Sequence, residues 1–314
     1  MQQRNIQQRH GCACQNGLES QEFDARGAYL HLRQKYEQLA ALMAKYLSES
    51  AQNPSGAATM ASSIADNLTT IVGGVPVAAT DFPECCLVGR RRANGTVSWF
   101  CTGVLVHKRV VLSAAHCFDP RAPANVVALN ANNMSNLSGA NVVNVRRMII
   151  TPQYPLTERF HDAAVLILRN DAQVAPVGIA STAEVAAASE TTLVGFGNSD
   201  RFASSGFGRK RMVAVPITHV RRTAAEDFED AEDVMGFDAD LEFVAGGGGF
   251  DTCTGDSGGP AYITVGGHRK VAGLTSRATD NAVTPCGDAG IYTRVDANLG
   301  FIKSTAASFG ITIP

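Results

Sequence analysis

Asp251-Thr252-Cys253-Thr254-Gly255-Asp256-Ser257-Gly258-Gly259-Pro260 is the stretch on which the reading of this chain turns. It sets one hydroxyl, Ser257, among three glycines and beside a carboxylate, a composition that suits neither a core strand nor a helix. Glycines permit backbone angles that other residues resist and let a second molecule approach the main chain. A serine hydroxyl is a weak nucleophile until a base takes its proton. The stretch therefore asks the rest of the chain for a base, a group to orient that base, and donors for an oxyanion.

A base and an acid both occur upstream. In Val110-Val111-Leu112-Ser113-Ala114-Ala115-His116-Cys117 an apolar strand runs into small residues and then a histidine. Small neighbours leave the imidazole open on one side, and its near-neutral pKa suits proton transfer. In Phe160-His161-Asp162-Ala163-Ala164-Val165-Leu166-Ile167-Leu168, Asp162 heads a strongly apolar strand. A carboxylate entering a core needs a partner. His116 can be that partner, with Asp162 fixing its tautomer and stabilising the imidazolium. Taken singly, each residue reads as structural; together with Ser257 they are far more specific.

The 314 residues give room for one large domain or two small ones. Hydrophobic content of 45% and charge of 18% describe an ordinary globular protein. A net charge of -2 provides no basic field to gather nucleic acid or acidic lipid, and no apolar run reaches the length of a membrane span. Neither nucleic acid nor membrane is expected as a partner. Beyond residue 71, short apolar segments at 104–106, 110–112, 126–129, 142–150, 163–168, 192–194, 212–217, 261–265, 271–274 and 290–295 alternate with Gly, Asn, Pro and Asp. This spacing predicts an all-β barrel or sandwich. Helical pattern returns only at 298–309. The basic runs Arg90-Arg91-Arg92 and Arg209-Lys210-Arg211 read as solvated loop faces. The acidic stretch 226–233, six carboxylates around Phe228, reads as a loop or short surface helix.

Upstream the character changes. Residues 1–19 read as unstructured. Over about 20–50, Leu32, Tyr36, Leu39, Met43 and Tyr46 recur at helical steps, with Asp24 placed to cap. That face either packs on its own domain or forms a seam for a partner or a second copy. Residues of about 48–70, rich in Ser, Ala, Asn, Thr, Gly and Pro, read as a linker that ends abruptly at Ile71-Val72-Gly73-Gly74.

Ile71-Val72-Gly73-Gly74, Ser113-Ala114-Ala115-His116-Cys117, His161-Asp162-Ala163-Ala164-Val165-Leu166 and Gly255-Asp256-Ser257-Gly258-Gly259-Pro260 resemble the trypsin/chymotrypsin-like serine protease family, in its order and approximate spacing. The resemblance covers residues 71–314. It implies an all-β fold of two antiparallel Greek-key β-barrels with a C-terminal helix; residues 1–70, with a helix at about 20–50 and a linker at about 48–70, then read as an N-terminal pro or regulatory segment. It implies a triad of Ser257 as nucleophile, His116 as base and Asp162 as orienting acid, with the N–H groups of Gly255 and Ser257 as oxyanion donors. Asp251, six positions before the nucleophile, becomes the base of a pocket also formed by Thr252, Ser276, Ala278 and Gly290, with a preference for Arg or Lys. Ile71 and Asp256 become an activation pair formed by cleavage at Thr70–Ile71. Because Thr70 is neither Arg nor Lys, the expectation is that another protease makes that cut or that activation proceeds without it. Cys101–Cys117 and Cys253–Cys286 are the implied disulfides. A polypeptide substrate follows; no cofactor and no metal is implied. The eight cysteines lack paired C-x-x-C spacings, and residues 126–147 contain no Asp or Glu for a calcium loop.

Chain order supports the same assignment. Gly255-x-Ser257-x-Gly259 also matches the nucleophile elbow of α/β-hydrolases, but that fold needs its acid and histidine after the serine. Only His268 follows Ser257, too close for that topology. Four departures from the family pattern stand out. Arg277 takes an aromatic position and is expected to favour acidic substrate residues; Ala278 adds a methyl at the pocket wall; Thr102 replaces a glycine; Phe196 replaces a tryptophan. Cys12, Cys14, Cys85 and Cys86 match no family bridge, and the adjacent pair can equally be buried thiols. The rival reading is an inactive homologue used as a binding module, although no triad member is missing. The N-terminus shows no secretory h-region, which favours a cytoplasmic protein; the cysteines and the family favour a secreted one.

Overall fold

The computed structural model describes residues 72–220 and 226–314. The expected helix at 20–50, the linker at 48–70, Cys12, Cys14 and the Thr70–Ile71 junction lie outside the described residues.

The first barrel is built from β2 (Cys85–Arg91), β3 (Val97–His107), β4 (Val110–Ser113), β5 (Val126–Leu129), β6 (Asn141–Ile150) and β7 (Ala164–Leu168). Around the barrel they run β2-β3-β4-β7-β6-β5, and β5 closes on β2 through Leu87 and Ala128. The second barrel uses β9 (Glu190–Gly195), β10 (Arg211–His219), β11 (Glu242–Ala245), β12 (Pro260–Val265), β13 (His268–Ala278) and β14 (Gly290–Arg294) in the order β9-β10-β11-β14-β13-β12. Both barrels thus follow one rule: three strands in sequence, then three returning in reverse, every pair antiparallel. Closure leaves neither six-strand ring a free edge to template aggregation. The short strands β1 (Val75–Pro76) and β8 (Gly178–Ile179) lie outside the rings and pair with β10 and β13.

Side-chain alternation explains the uninterrupted apolar run of β7. Ala164, Leu166 and Leu168 join Val111, Val127 and Leu129 inside the first barrel, whereas Val165 and Ile167 point out of it. The outward pair is covered by Ile302 and Ala306 of the C-terminal helix Leu299–Ala307 and belongs to a core shared with Phe196, Tyr262 and Leu274 of the second barrel. A strand buried on both faces has no polar side to show. The hairpin β12–β13 turns on Gly266-Gly267, both at positive φ, the backbone a two-residue hairpin of this twist demands.

Three expectations are corrected. Helix is not confined to the C-terminus and the acidic stretch, where Glu226–Met235 is helical and so takes the second of its two expected forms: short helices also occur at Tyr154–Thr157 and Thr182–Ala186. The second starts with a capping box in which Ser181 and Glu184 bond each other's backbone. Its five residues are too few to generate a helical period. The strands β2 and β11 escape the apolar pattern because one carries Gly89 and two arginines and the other is four residues long and begins with Glu242. Finally, Lys210 and Arg211 are buried, not solvated. The Lys210 Nζ donates to the carbonyls of Ala79, Asp81 and Phe82 at 3.1, 2.5 and 3.1 Å, and Arg211 Nη1 donates to Gly206 O at 2.6 Å. Main-chain oxygens, invisible to composition, supply the acceptors that make burial tolerable. Cys85 and Cys86 are both buried free thiols.

Candidate functional site

Sheet register places the first two candidate residues. In the first barrel β4 and β7 are antiparallel neighbours with Ser113 opposite Ala164. The residues that follow β4 and those that precede β7 therefore leave the barrel at the same end, which brings His116 to Asp162. After β4 the chain makes a single 3-10 turn, Ala115–Cys117, anchored to β3 by the Cys101–Cys117 disulfide. His161, at φ 58°, presents Asp162 from a tight turn closed by Ala163 N–H to His161 O. Asp162 Oδ1 accepts the His116 backbone N–H at 2.9 Å, and Oδ2 meets His116 Nδ1 at 2.7 Å. Holding Nδ1 in this way leaves Nε2 as the nitrogen free for proton transfer.

The second barrel completes this pair. Ser276 Oγ, from β13, donates to Asp162 Oδ2 at 2.7 Å. Burial pushes the Asp162 carboxyl up, but the His116 ring and the Ser276 hydroxyl outweigh it and hold its pKa below the usual carboxylate value. The neighbouring Arg277 does not offer the free cation expected of it. Its guanidinium is bidentate on Glu242, at 2.6 and 2.8 Å, and donates further to Gly236 O and Arg159 O. It also lies over the Phe160 ring. Its charge is consumed inside the protein, so a preference for acidic substrate residues does not follow. Glu242 is fully buried. Arg277→Met strands that carboxylate and should lower stability by about 3–5 kcal/mol, seen as a shifted urea midpoint. The double variant Arg277→Met/Glu242→Gln should recover most of the loss; no recovery would show that the pair is not the cause.

Ser257 sits in a turn whose peptides are each fixed. Thr102 N–H donates to Ser257 O at 2.9 Å, Gly258 N–H to Thr275 O at 2.8 Å and Gly259 N–H to Asp256 O at 2.7 Å. Gly258 has φ 75°, and a Cβ there would lie 2.1 Å from Ser113 Oγ and 2.5 Å from Ala114 N, so only glycine fits. The turn is thereby pressed against the segment that carries His116: Cys117 Sγ lies 3.8 Å from Ser257 O. The two expected donors are oriented through their partner carbonyls. In a trans peptide N–H and C=O point opposite ways. Thr254 O accepts from Asn198 N–H at 2.9 Å, and Asp256 O accepts from Gly259 N–H. The N–H groups of Gly255 and Ser257 therefore point away from those anchors, and among the described residues neither donates to a protein acceptor.

Ser257, Asp251, Thr252, Ser276 and Ala278 line one cavity of about 160 Å³, together with Thr254, Arg277 and Pro285. The Cys253–Cys286 disulfide joins its two walls. Gly290 faces Ala278 across the β13–β14 pair, and a Cβ on Gly290 would lie 2.7 Å from Asp251 Oδ1. Asp251 is buried and accepts from Thr252 N–H at 2.7 Å and Tyr292 O–H at 3.1 Å. Burial raises its pKa to about 7 despite those bonds. Tyr292 joins the expected pocket residues: it is two residues along β14 from Gly290, on the same face.

Asp256 points into the protein. Its oxygens accept from Gly197 N–H at 2.7 Å and Cys253 N–H at 2.9 Å, and burial raises its pKa to about 6. No ion pair to it exists among the described residues. Val72 packs on Cys253 and Cys286, and its carbonyl accepts from Asp251 N–H at 3.3 Å. Ile71, its expected activation partner, lies outside the described residues. Cys101, His116 and Cys117 cluster tightly enough to suggest a metal site, but the disulfide removes both thiolates.

A family model described as Trypsin matches residues 71–302. The chain is 31% identical over 260 residues to coagulation factor IX of Oryctolagus cuniculus, an alignment covering 76% of this chain and 86% of that protein. It is 28% identical over 255 residues to serine protease snk of Drosophila melanogaster, covering 75% of this chain and 57% of that longer protein. It is 27% identical over 203 residues to a trypsin of Saccharopolyspora erythraea, covering 63% of this chain and 83% of that one.

Proposed function

Because this chain belongs to the trypsin-like serine protease family, we propose that it is a serine endopeptidase that cuts after Arg or Lys and is held as a zymogen. One observation carries the reading: Ser257 and Asp251 line a single cavity, and Ser276 in its wall also grips the carboxylate that holds His116. His116 takes the Ser257 proton as the serine oxygen attacks a peptide carbonyl. The N–H groups of Gly255 and Ser257 receive the developing oxyanion; such preorganised donors are often the largest electrostatic contribution. His116 then protonates the leaving amine, and water, activated by the same ring, hydrolyses the acyl-enzyme.

Asp251 at the bottom of the cavity supports a basic preference, since it gives a guanidinium or ammonium its counter-charge out of water. Residues 71–314 act as the protease domain and 1–70 as the regulatory segment. Cleavage at Thr70–Ile71 would free an ammonium, and the buried Asp256 carboxylate, with no ion-pair partner among the described residues, is the group to receive it. The enzyme's own basic preference makes Thr70 a poor site for self-cleavage, so a second protease performs the cut.

The test uses the full chain before and after cleavage immediately ahead of Ile71, by a site-specific protease for which a site is introduced there. The cut form should take a fluorophosphonate probe much faster than the uncut form and cleave a peptide library after Arg and Lys, and Ser257→Ala should abolish labelling. Labelling of neither form would favour the inactive homologue. Equal labelling of both would remove zymogen control.

A further inference from the structure

The geometry points to the side-chain hydroxyl of Thr102 as a positioning residue for the oxyanion donors, an inference that rests on the endopeptidase reading above. Thr102 lies in β3 of the first barrel, is fully buried, and stands where the family pattern has a glycine. Its Oγ1 donates to Gly255 O at 2.9 Å and accepts from Phe196 N–H at 3.4 Å. A backbone N–H can only donate, so this bond leaves the Thr102 hydroxyl proton for Gly255 O. The backbone of the same residue makes two more links. Its N–H donates to Ser257 O at 2.9 Å, and its carbonyl accepts from Ser113 Oγ at 2.8 Å. One buried residue therefore ties together the nucleophile turn, the segment leading to His116 and the Phe196 strand end.

The hydroxyl acts on the peptide that matters. The Gly255–Asp256 peptide lies between the two peptides whose N–H groups are the oxyanion donors. Its N–H end is held by Cys253 O at 2.9 Å, and its C=O end by Thr102 Oγ1. The flanking peptides pivot about the dihedrals of Gly255 and Asp256. Gly255 is at φ 99°, a conformation that glycine enters and leaves freely. Removing the hydroxyl leaves Gly255 O buried with no donor, and an unsatisfied buried carbonyl is driven to rotate toward one. The residue best able to permit that rotation is the one whose N–H forms half of the oxyanion site. A glycine at position 102 has no such hold; threonine adds it without occupying the substrate cavity, whose walls do not include it.

The test is made on the full chain in its active form. Thr102→Val keeps the shape and removes the hydroxyl. It should lower kcat roughly 10–100-fold, a fraction of the loss caused by deleting an oxyanion donor outright, with KM within twofold. A peptidyl aldehyde, whose tetrahedral adduct uses the oxyanion donors, should lose affinity by a similar factor. Benzamidine, which occupies only the Asp251 pocket, should bind as before. Thr102→Ser should restore most of kcat, and Thr102→Ala should show the same loss of roughly 10–100-fold, so it replaces the valine variant where valine prevents folding. Full kcat in a folded variant without the hydroxyl, whether Thr102→Val or Thr102→Ala, or equal loss of aldehyde and benzamidine affinity, overturns the assignment while leaving the endopeptidase reading intact. A wild-type chain that neither hydrolyses peptides nor takes a fluorophosphonate overturns both.

Discussion

His116→Ala is expected to lower kcat by about 10⁶-fold, the loss seen when the base of such a constellation is removed. The fold should not suffer, because the side chain is about one third exposed and packs in no core cluster. Asp162 keeps the Ser276 hydroxyl and the residue-116 backbone N–H as donors, so its carboxylate is not abandoned. What disappears is the acceptor for the Ser257 proton. Residual turnover should stay roughly 10³–10⁴-fold above the uncatalysed rate, because the proposed oxyanion donors, the Gly255 and Ser257 N–H groups, are left in place. The pH–rate profile of the variant should lose the inflection due to the imidazole and rise with hydroxide. Active-site-titrated kinetics on an arginyl peptide measure all three; a loss smaller than 100-fold would mean that another group serves as base.

Asp251→Ser should cut kcat/KM for an arginyl substrate by roughly 10²–10⁴-fold, the consequence of leaving a buried charge without its partner. Hydrolysis after a neutral side chain should change less than tenfold, so the variant loses preference rather than activity. Its pH signature follows from the carboxyl pKa, which burial raises to about 7. Above that value Asp251 is ionised and holds an amidinium; below it the carboxyl is neutral and the counter-charge is gone. Benzamidine affinity should therefore fall about tenfold for each pH unit below 7 and be flat in Asp251→Asn. A flat profile in the wild type, or an unchanged arginyl preference in Asp251→Ser, would move specificity to another group. The methyl of Ala278 is the other candidate determinant, since it stands directly across from Gly290 at the pocket wall.

The legible part of this protein is local. Ser257 with its glycines, His116 after a small-residue run, and Asp162 at the head of β7 each stand out as candidates within ten residues, because turn geometry and strand patterning depend on near neighbours. The barrels were legible for the same reason, strand by strand. β2 and β11 were lost where glycine, arginine or shortness blurred the alternation.

Other features follow only from closing the barrels. Ser276 reaches Asp162 across 114 residues, and Thr102 reaches Gly255 across 153. Arg277 reads as a free cation in sequence and becomes the counter-ion of Glu242, 35 residues away, once β11 and β13 are set on either side of β14. Lys210 reads as a solvated charge and becomes a buried cap on three carbonyls. A residue's type states which bonds it can make. Whether its charge or hydroxyl is spent inside the protein or left for a substrate depends on which distant main-chain and carboxylate oxygens packing brings within 3 Å, and that is decided by the tertiary structure alone.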